Sequence, residues 1–305
     1  MLSERSERRI SPFCPTIGRF FGASRLRMTA ESDFQNTLLE DGLLKPKNTI
    51  LGADIAGRVE AVGSNVTQFQ PGDEVFWDTS ACGLGGFAEY VCARENALAL
   101  KPANLSFEAA AAAPVVAVTA LQGLRDKGQI QPGQKVLING ASGGVGTSAV
   151  QIAKSFGAEV TGVCSTRNLN MVRSIGADHV IDYTQEDFTR SGETYDAIID
   201  VVGKSSFSGS VRSLKQNGRY VLGNPGLSGM IRGRWTSRTT DKKVIFEQAS
   251  YRTEDYTFLK ELIEAGKIKS VIDRRYPLEQ TAEAHRYVEK GHKKGNVVIT
   301  VEKSL

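Results

Sequence analysis

The sequence predicts an α/β protein in which a small β domain precedes a parallel, doubly wound sheet. Short segments of alternating apolar and polar residues occupy residues 50–101. Residues 135–248 instead contain continuous apolar runs, which are typical of a parallel sheet covered by helices on both faces. A glycine-rich turn follows the first of these runs, within LINGASGGVGTSAVQIAK at 137–154. Together these three observations define the fold class.

The charge distribution separates an N-terminal arm from the rest of the chain. The first 30 of the 305 residues carry six arginines and two glutamates, and the remaining residues are balanced in charge. A balanced body has no overall field to attract nucleic acid. No apolar run has the length of a membrane span, and Glu4 and Glu7 argue against a targeting arm. The four scattered cysteines lack metal or disulfide spacing, so we expect a cytoplasmic protein.

The β segment at 50–101 contains turn signals such as Gln70-Pro71-Gly72-Asp73. A long apolar helix is predicted to follow, with Ser106 as its N-cap. Near the C-terminus, helices at 253–265 and 278–290 are predicted to end at glycines, and a strand is predicted at 296–301.

Six apolar runs between 135 and 248 match the strand count of the dinucleotide-binding (Rossmann) fold. The runs are KVLIN (135–139), EVTGVC (159–164), DHVID (178–182), YDAIIDVV (195–202), GRYVLG (218–223) and KKVIFEQ (242–248).

The glycine turn has the context of a pyrophosphate site. A helix start exposes unpaired N–H groups and a partial positive charge, and glycines let a phosphate approach the backbone. Ala141 stands where the usual GxGxxG pattern has its first glycine. A tight turn without a ligand is the alternative. The residues predicted to bind the cofactor here are Ser142, Gly143, Gly144, Val145 and Gly146.

The end of the second strand indicates which dinucleotide binds. A carboxylate there would bind the ribose of NAD, but the strand ends in Ser165, Thr166 and Arg167. Hydroxyls and a guanidinium suit the additional phosphate of NADP(H), which we therefore predict as the cofactor. The alternative is that Arg167 is a solvated loop residue.

Several motifs resemble the medium-chain dehydrogenase/reductase superfamily, and its zinc-independent quinone oxidoreductase branch in particular. They are LGADIAGRVEAVGSNVTQFQPGDEVF, GGFAEYVCA, GASGGVGTSAVQIAKSFGAEV, GADHVIDYTQEDF, YDAIIDVVG and GHKKGNVVITV, and the resemblance extends over residues 42–305. It implies a GroES-like β-barrel catalytic domain at 42–116 that is completed by 250–305. It also implies a Rossmann NADP-binding domain at 117–249, an active site in the cleft between the two domains, and a homodimer.

The resemblance also implies further cofactor contacts, each of which has a purely structural alternative. Thr119 would lie near the nicotinamide, Tyr183 near the adenosine phosphate, and Gly223 and Asn224 beside the nicotinamide ring. The segment Lys294-Gly295-Asn296 would reach the phosphates, with Asn296 where a lysine is common.

We predict no metal site. Metal-dependent relatives carry Gly-His-Glu where this chain has Gly52-Ala53-Asp54, so the histidine ligand is missing. Asp54 is expected to satisfy backbone donors in a turn, with a role near substrate as the alternative. Tyr256 and Lys260 have the spacing of a short-chain dehydrogenase proton donor, but an apolar helix stripe around them favours coincidence.

Residues 1–41 depart from the family pattern. They form an atypical basic segment without two-residue alternation, so we expect the first strands of the barrel to be incomplete. Such a loss would expose strand edges and part of the substrate site.

The sequence thus predicts an NADPH-dependent reductase that transfers hydride to a quinone or to an enone or enal. No side chain stands out as an acid, so the catalytic residues stay unassigned and water is expected to supply the proton. The alternative is a non-catalytic NADP-binding protein that regulates a partner, which an incomplete N-terminal region would favour.

Overall fold

The structure, a computed structural model, describes residues 18–26, 50–223, 225–246, 249–250 and 252–301. The chain divides into two compact units. The first comprises the described parts of Met1–Pro114, Arg274–His292 and Val297–Leu305, and the second those of Val115–Asp273 and Lys293–Asn296. The domain boundaries given above stay predictions.

The described strands form two sheets, and each sheet contains strands that follow one another along the chain. The first group is β1 (Gly18–Leu26), β2 (Asp54–Ala61), β3 (Glu74–Asp78), β4 (Val91–Ala93) and β5 (Ala99–Leu100). The second group is β6 (Lys135–Asn139), β7 (Glu159–Cys164), β8 (His179–Asp182), β9 (Tyr195–Asp200), β10 (Leu214–Leu222) and β11 (Lys243–Phe246). Strands β12 (Ile272–Pro277) and β13 (Asn296–Thr300) return to the first sheet, whose order is β12-β13-β1-β2-β3-β5 with β4 paired to β1.

Strand β1 corrects the expectation for the N-terminal segment. We expected the first strands of the barrel to be incomplete because residues 1–41 lack two-residue alternation, but Gly18–Leu26 pairs antiparallel with β2, from Arg19 opposite Ala61 to Arg25 opposite Asp54. The same strand also pairs with β4 and β13. Backbone pairing on both sides creates this strand without a regular side-chain alternation, because strand formation depends strongly on tertiary context.

The described helices include a break that the sequence analysis did not predict. Ser106 caps the first helix as predicted, and its hydroxyl accepts from the Ala109 N–H. The predicted long helix is nevertheless divided before Pro114, whose ring lacks an N–H and disfavours helical geometry in the preceding residue. The helices are α1 (Phe107–Ala111), α2 (Pro114–Gln122), α3 (Gly144–Ser155), α4 (Leu169–Ser174), α5 (Phe207–Arg212), α6 (Leu227–Thr239), α7 (Thr253–Glu264) and α8 (Thr281–Glu289).

Helices α7 and α8 end near glycines as predicted, since Gly266 and Gly291 both have positive φ. Among the described residues, no helix has the length and apolar character needed to cross a membrane.

The second sheet confirms the predicted dinucleotide-binding topology. Its six strands lie in the order β11-β10-β9-β6-β7-β8, and every neighbouring pair is parallel. If the strands are numbered within this sheet, the order is 6-5-4-1-2-3, which is that of the doubly wound fold. Successive strands are added in one direction from β6 to β8 and in the opposite direction from β9 to β11, so the strand order reverses between β6 and β9. The carboxyl ends of all six strands therefore lie at one edge, and ligands of this fold bind at the reversal point of that edge.

An ion network around the buried carboxylate of Asp255 joins α7 to the chain segment after α2. Asp255 is 1% exposed and accepts from Arg125 Nη2 and from Gln122 Nε2, both at 2.6 Å. Arg252 Nε lies 3.2 Å from the same carboxylate. Hydrogen bonding by the Arg125 guanidinium also holds the pKa of Asp126 below its usual value. Each charge in this network therefore has a partner of the opposite sign.

We predict that Asp255→Ala lowers the free energy of unfolding by about 2 kcal/mol, because it removes the buried carboxylate that accepts from Arg125 and Gln122, whereas Arg125 keeps Asp126 as a partner. Urea denaturation measures the change. Exposed Glu254 supplies the matched control, and Glu254→Ala is expected to change stability by less than about 0.5 kcal/mol. Equal effects of the two substitutions would contradict a structural role for the network.

Candidate functional site

Close backbone contacts between β6 and α3 form the glycine turn. Gly140 has a φ of +88°, in the left-handed region that favours glycine, and a Cβ there would lie 2.5 Å from a Val202 methyl carbon. At Gly146, a Cβ would lie 2.0 Å from the Gly140 carbonyl oxygen. Neither position has room for a side chain, so the helix begins directly against the end of the strand.

The first turn of α3 leaves backbone donors for a ligand. Gly143 is the N-cap and has no side chain with which to cap the helix. The Thr147 N–H is the first to bond back within the helix, to the Gly143 carbonyl at 2.9 Å. The N–H groups of Gly144, Val145 and Gly146 precede it, and the positive end of the helix dipole lies at the same place. These features fit an anionic phosphate group.

The backbone of the segment Lys294-Gly295-Asn296 reaches this turn. The Gly295 N–H donates to the Ser142 carbonyl oxygen at 2.8 Å, and Gly295 forms a parallel bridge with Gly143. Gly295 is confined on its other side, where a Cβ would lie 2.3 Å from the Val271 carbonyl oxygen. The structure therefore brings Ser142, Gly143 and Gly295 together.

The residues predicted to bind the 2′-phosphate follow β7, and one of them, Thr166, contacts a carboxylate that the sequence analysis missed. The Thr166 hydroxyl donates to Asp182 Oδ2 at 2.5 Å. This bond, together with hydrogen bonds from Thr184, holds the pKa of the Asp182 carboxyl below its usual value. A negative charge therefore lies beside Ser165 and Thr166, and exposed Arg167 follows them with a positive charge.

Two other predicted residues lie at the same edge of the sheet. Tyr183 directly follows β8 and is 63% exposed. Gly223 directly follows β10, and its N–H donates to the Asp200 carbonyl oxygen at 2.9 Å. Asn224 lies outside the described residues. The shared edge follows from the parallel direction of the strands.

The remaining predicted residues are held by local contacts. The Thr119 hydroxyl donates to the Val115 carbonyl at 2.7 Å, within its own helix. The Lys294 N–H donates to Asp273 Oδ2 at 3.0 Å, and the side chain is half-buried. Asn296 is buried at 2% exposure. Their predicted contacts with a cofactor therefore stay predictions.

Asp200, at the end of β9, is a buried residue that sequence reasoning overlooked. Its carboxylate accepts from Ser205 at 2.7 Å, Tyr220 at 2.9 Å and the Asn139 side chain at 3.0 Å. Two backbone N–H groups of the following turn also donate to it. Burial, and secondly the charge of Asp200, raise the pKa of the Tyr220 hydroxyl. Because Asn139 ends β6, Asp200 fixes the strand from which the glycine turn begins.

The departure from GxGxxG at Ala141 has a structural explanation on β7. Ala141 is fully buried, and a Cβ added at Gly162 would lie 3.0 Å from its methyl carbon. The same Cβ would lie 2.6 Å from a Val172 methyl carbon. Glycine at position 162 therefore provides the space that alanine occupies at position 141.

The structure also shows where Asp54 and the pair Tyr256 and Lys260 lie. Asp54 is the first residue of β2 and is fully buried, so the expectation that it lies in a turn is wrong. Tyr256 is also fully buried, and Lys260 lies 3.8 Å from the Glu264 carboxylate. The burial of Tyr256 and the ion pair of Lys260 do not suit a proton donor that meets a substrate, whereas a role of Asp54 near substrate stays a prediction. In the described parts of the chain, no three His, Cys, Asp or Glu side chains are grouped so that they could hold a metal ion.

Comparison with known proteins adds independent information. Residues 29–103 match the family described as alcohol dehydrogenase GroES-like domain, and residues 175–299 match the family described as zinc-binding dehydrogenase. A mitochondrial NAD(P)H oxidoreductase of Mus musculus is 34% identical over 96% of this chain and 79% of its own length. The chloroplastic NADPH-dependent alkenal/one oxidoreductase of Arabidopsis thaliana is 35% identical over 83% of this chain and 64% of its own.

A solved structure has a similar fold. The quinone oxidoreductase from Coxiella burnetii superimposes with a TM-score of 0.83 at 28% identity, over 94% of this chain and 91% of its own. The similarity to the mouse protein and the GroES-like match both extend N-terminally of residue 42, where we had expected the resemblance to begin.

Gly143 allows the phosphate site to be tested separately from folding. A Cβ at this position would meet only the Gly140 carbonyl oxygen, at an ordinary 3.5 Å, and φ is −82°. We predict that Gly143→Ala leaves the free energy of unfolding within about 0.5 kcal/mol of the parent. It should weaken NADPH binding about tenfold or more in calorimetry, because the methyl group occupies the space that a phosphate needs.

Gly146→Ala is the comparison variant. Its Cβ would lie 2.0 Å from a carbonyl oxygen, so this substitution should lower both stability and binding. Unchanged NADPH affinity in a folded Gly143→Ala protein would contradict the assignment of the turn.

Proposed function

The chain belongs to the zinc-independent quinone oxidoreductase branch of the medium-chain dehydrogenase/reductase superfamily, and from this premise we propose that it is an NADPH-dependent reductase of quinones or α,β-unsaturated carbonyls. The observation that best supports the proposal is the uncapped first turn of α3, at the reversal point of the parallel sheet. Backbone donors at that point match the pyrophosphate of a dinucleotide.

NADP(H) is the cofactor in this proposal, and different residues at the sheet edge bind different parts of it. The N–H groups of Gly144, Val145 and Gly146 hold the pyrophosphate, and Gly295 keeps the turn in place through Ser142. The bound cofactor supplies a hydride. The contributions of Thr119, Tyr183, Gly223, Asn224, Lys294 and Asn296 to its binding are proposals from the family resemblance.

The choice of NADPH over NADH depends on residues 165–167. Arg167 offers a charged fork of donors to a 2′-phosphate, and Ser165 adds a hydroxyl. Asp182 opposes this preference with its negative charge, and it already accepts a hydrogen bond from the Thr166 hydroxyl. Arg167 therefore has to outweigh a neighbouring carboxylate for the phosphate to bind.

The electron acceptor is a quinone or a conjugated enone or enal. Relatives named as quinone and alkenal/one oxidoreductases support this substrate class. Bound NADPH would supply a hydride to the quinone or to the β-carbon of the enone and would leave as NADP⁺, and water would supply the proton of the reduced product. The rate then depends on how the acceptor and the nicotinamide are oriented and on exclusion of bulk water.

The proposal extends to assembly and location. We infer a homodimer in the cytoplasm, with a catalytic domain at 42–116 and 250–305 and an NADP domain at 117–249. The names of two relatives place those proteins in mitochondria and chloroplasts. The non-catalytic alternative was motivated by missing N-terminal strands, and the presence of β1 weakens that motive.

We predict that the purified full-length chain oxidises NADPH when 1,4-quinones or alkenals are supplied, and that no added metal is needed. The loss of reduced-nicotinamide absorbance measures the rate, and product analysis shows whether the carbon–carbon double bond or the quinone was reduced. A protein that binds NADPH but turns over none of a panel of quinones, enones and enals would support the regulatory alternative instead.

Arg167→Ala is predicted to raise the Kd for NADPH at least about tenfold and to leave that for NADH nearly unchanged, because only NADPH carries the 2′-phosphate. Exposed Arg173, on α4, provides the control, and Arg173→Ala should affect neither Kd. Equal losses for the two cofactors in Arg167→Ala would remove this residue from the phosphate site.

A further inference from the structure

Helix α6 carries a row of exposed apolar side chains. Leu227 is 77% exposed, Ile231 64% and Trp235 70%. These residues are four positions apart, so they lie along one side of the helix. Met230, also exposed, lies beside them. Single exposed apolar residues are ordinary, but a contiguous apolar patch indicates a binding surface.

The opposite side of α6 is already packed. Gly233 and Thr236 are buried, and a Cβ at Gly233 would lie 2.7 Å from a ring carbon of Phe246 and 2.8 Å from a methyl carbon of Val244. Both neighbours belong to β11. The helix therefore cannot rotate to bury Ile231 and Trp235 against the sheet, and the apolar row faces outward in the folded chain.

All charged side chains of this helix are basic. No acidic residue occurs in 225–240, whereas Arg232, Arg234 and Arg238 all lie in α6 and are exposed. The guanidinium of Arg232 lies 4.5 Å from the centre of the Phe207 ring. Arg234 and Arg238 are three and seven residues after Ile231, so they lie on the same outward side. The local charge is positive although the chain outside its first 30 residues is balanced.

We propose that the outward face of α6, formed by Leu227, Met230, Ile231, Arg234, Trp235 and Arg238, docks on the surface of a bilayer that contains anionic lipids. A short helix with leucine, isoleucine and tryptophan beside arginines lies in the plane of the interface, with its apolar side chains below the headgroups. Arginine side chains are long enough to reach lipid phosphates while their stems stay in apolar surroundings. Tryptophan is enriched at this depth of the membrane.

Charge favours lipid over a second copy of this chain. A two-fold dimer through this face would bring the same patch of both copies together, so two faces that each carry Arg234 and Arg238 would meet. Without an acidic residue in 225–240, nothing on the helix would compensate that repulsion. Anionic headgroups provide both the opposite charge and an apolar layer. The inference is independent of hydride transfer, because it depends only on α6.

Vesicle flotation with the full-length chain tests the proposal. We expect the chain to float with vesicles of phosphatidylcholine and phosphatidylglycerol, and much less with pure phosphatidylcholine. Arg234→Glu should lower the partition coefficient at least about fivefold, since each basic residue near the surface contributes a factor of this size. The matched control is Arg190→Glu, at a site whose side chain is 85% exposed and outside the patch, and it should have little effect.

Ile231→Ser should also release the chain from anionic vesicles, whereas Leu100→Ser, at a 48% exposed position outside α6, should not. Brominated lipid should quench Trp235 but leave the emission of Trp77, which is 3% exposed. Absence of flotation with anionic vesicles would overturn the proposal, and so would equal effects of Arg234→Glu and Arg190→Glu. Conversion of a dimer into a monomer by Ile231→Ser in sedimentation, without lipid binding by the parent, would assign the face to a second copy instead.

Discussion

The contact between the backbones of Gly140 and Gly146 is the constraint on which the candidate site depends. Any side chain at position 146 would meet the Gly140 carbonyl oxygen at 2.0 Å, so α3 must begin directly against the end of β6. This closeness places the unpaired N–H groups of the first helical turn at the reversal point of the sheet. Gly295 then secures the turn from the other side through Ser142. A binding site for an anion thus arises from backbone geometry before any charged side chain contributes.

Two carboxylates at the same edge of the sheet have different roles because their surroundings differ. Asp200 is fully buried and accepts hydrogen bonds from three side chains and two backbone N–H groups, so its charge is compensated within the protein. Asp182 is less buried and accepts from two threonine hydroxyls beside the residues proposed to bind the 2′-phosphate. Asp200 therefore maintains the strand ends, whereas the charge of Asp182 lies beside residues proposed to bind the 2′-phosphate. In the proposal, cofactor preference is a balance between Arg167 and Asp182 rather than a property of Arg167 alone.

Much of this arrangement could be predicted because its signals are local. Strands β6 and β7 are buried on both faces, so each gives a continuous apolar run, and the helix start after β6 carries its glycines in sequence. Strand β1 was missed because it arises from pairing with β2, β4 and β13 rather than from its own alternation. The break before Pro114 had a local signal, which the run of alanines obscured. The compensation of Ala141 by Gly162 and the bond from Thr166 to Asp182 depend on the register of β6, β7 and β8, which no single stretch of sequence specifies.

Helix α6 exposes apolar side chains, which is unfavourable for a protein alone in water and indicates that another surface covers this helix. Its buried side contributes a glycine and a threonine to the packing on β11, while Leu227, Ile231 and Trp235 face outward and bury little of their apolar surface. A helix that only had to cover the sheet would carry its apolar residues on the inner side. Contact with another apolar and anionic phase on that face explains the reversed pattern, in which arginines rather than acids lie beside the apolar row. A lipid surface is such a phase, and lipophilic quinones dissolve in it. Because α6 begins shortly after the carboxyl end of β10, a docked helix would hold the nucleotide-binding edge of its own sheet near the membrane.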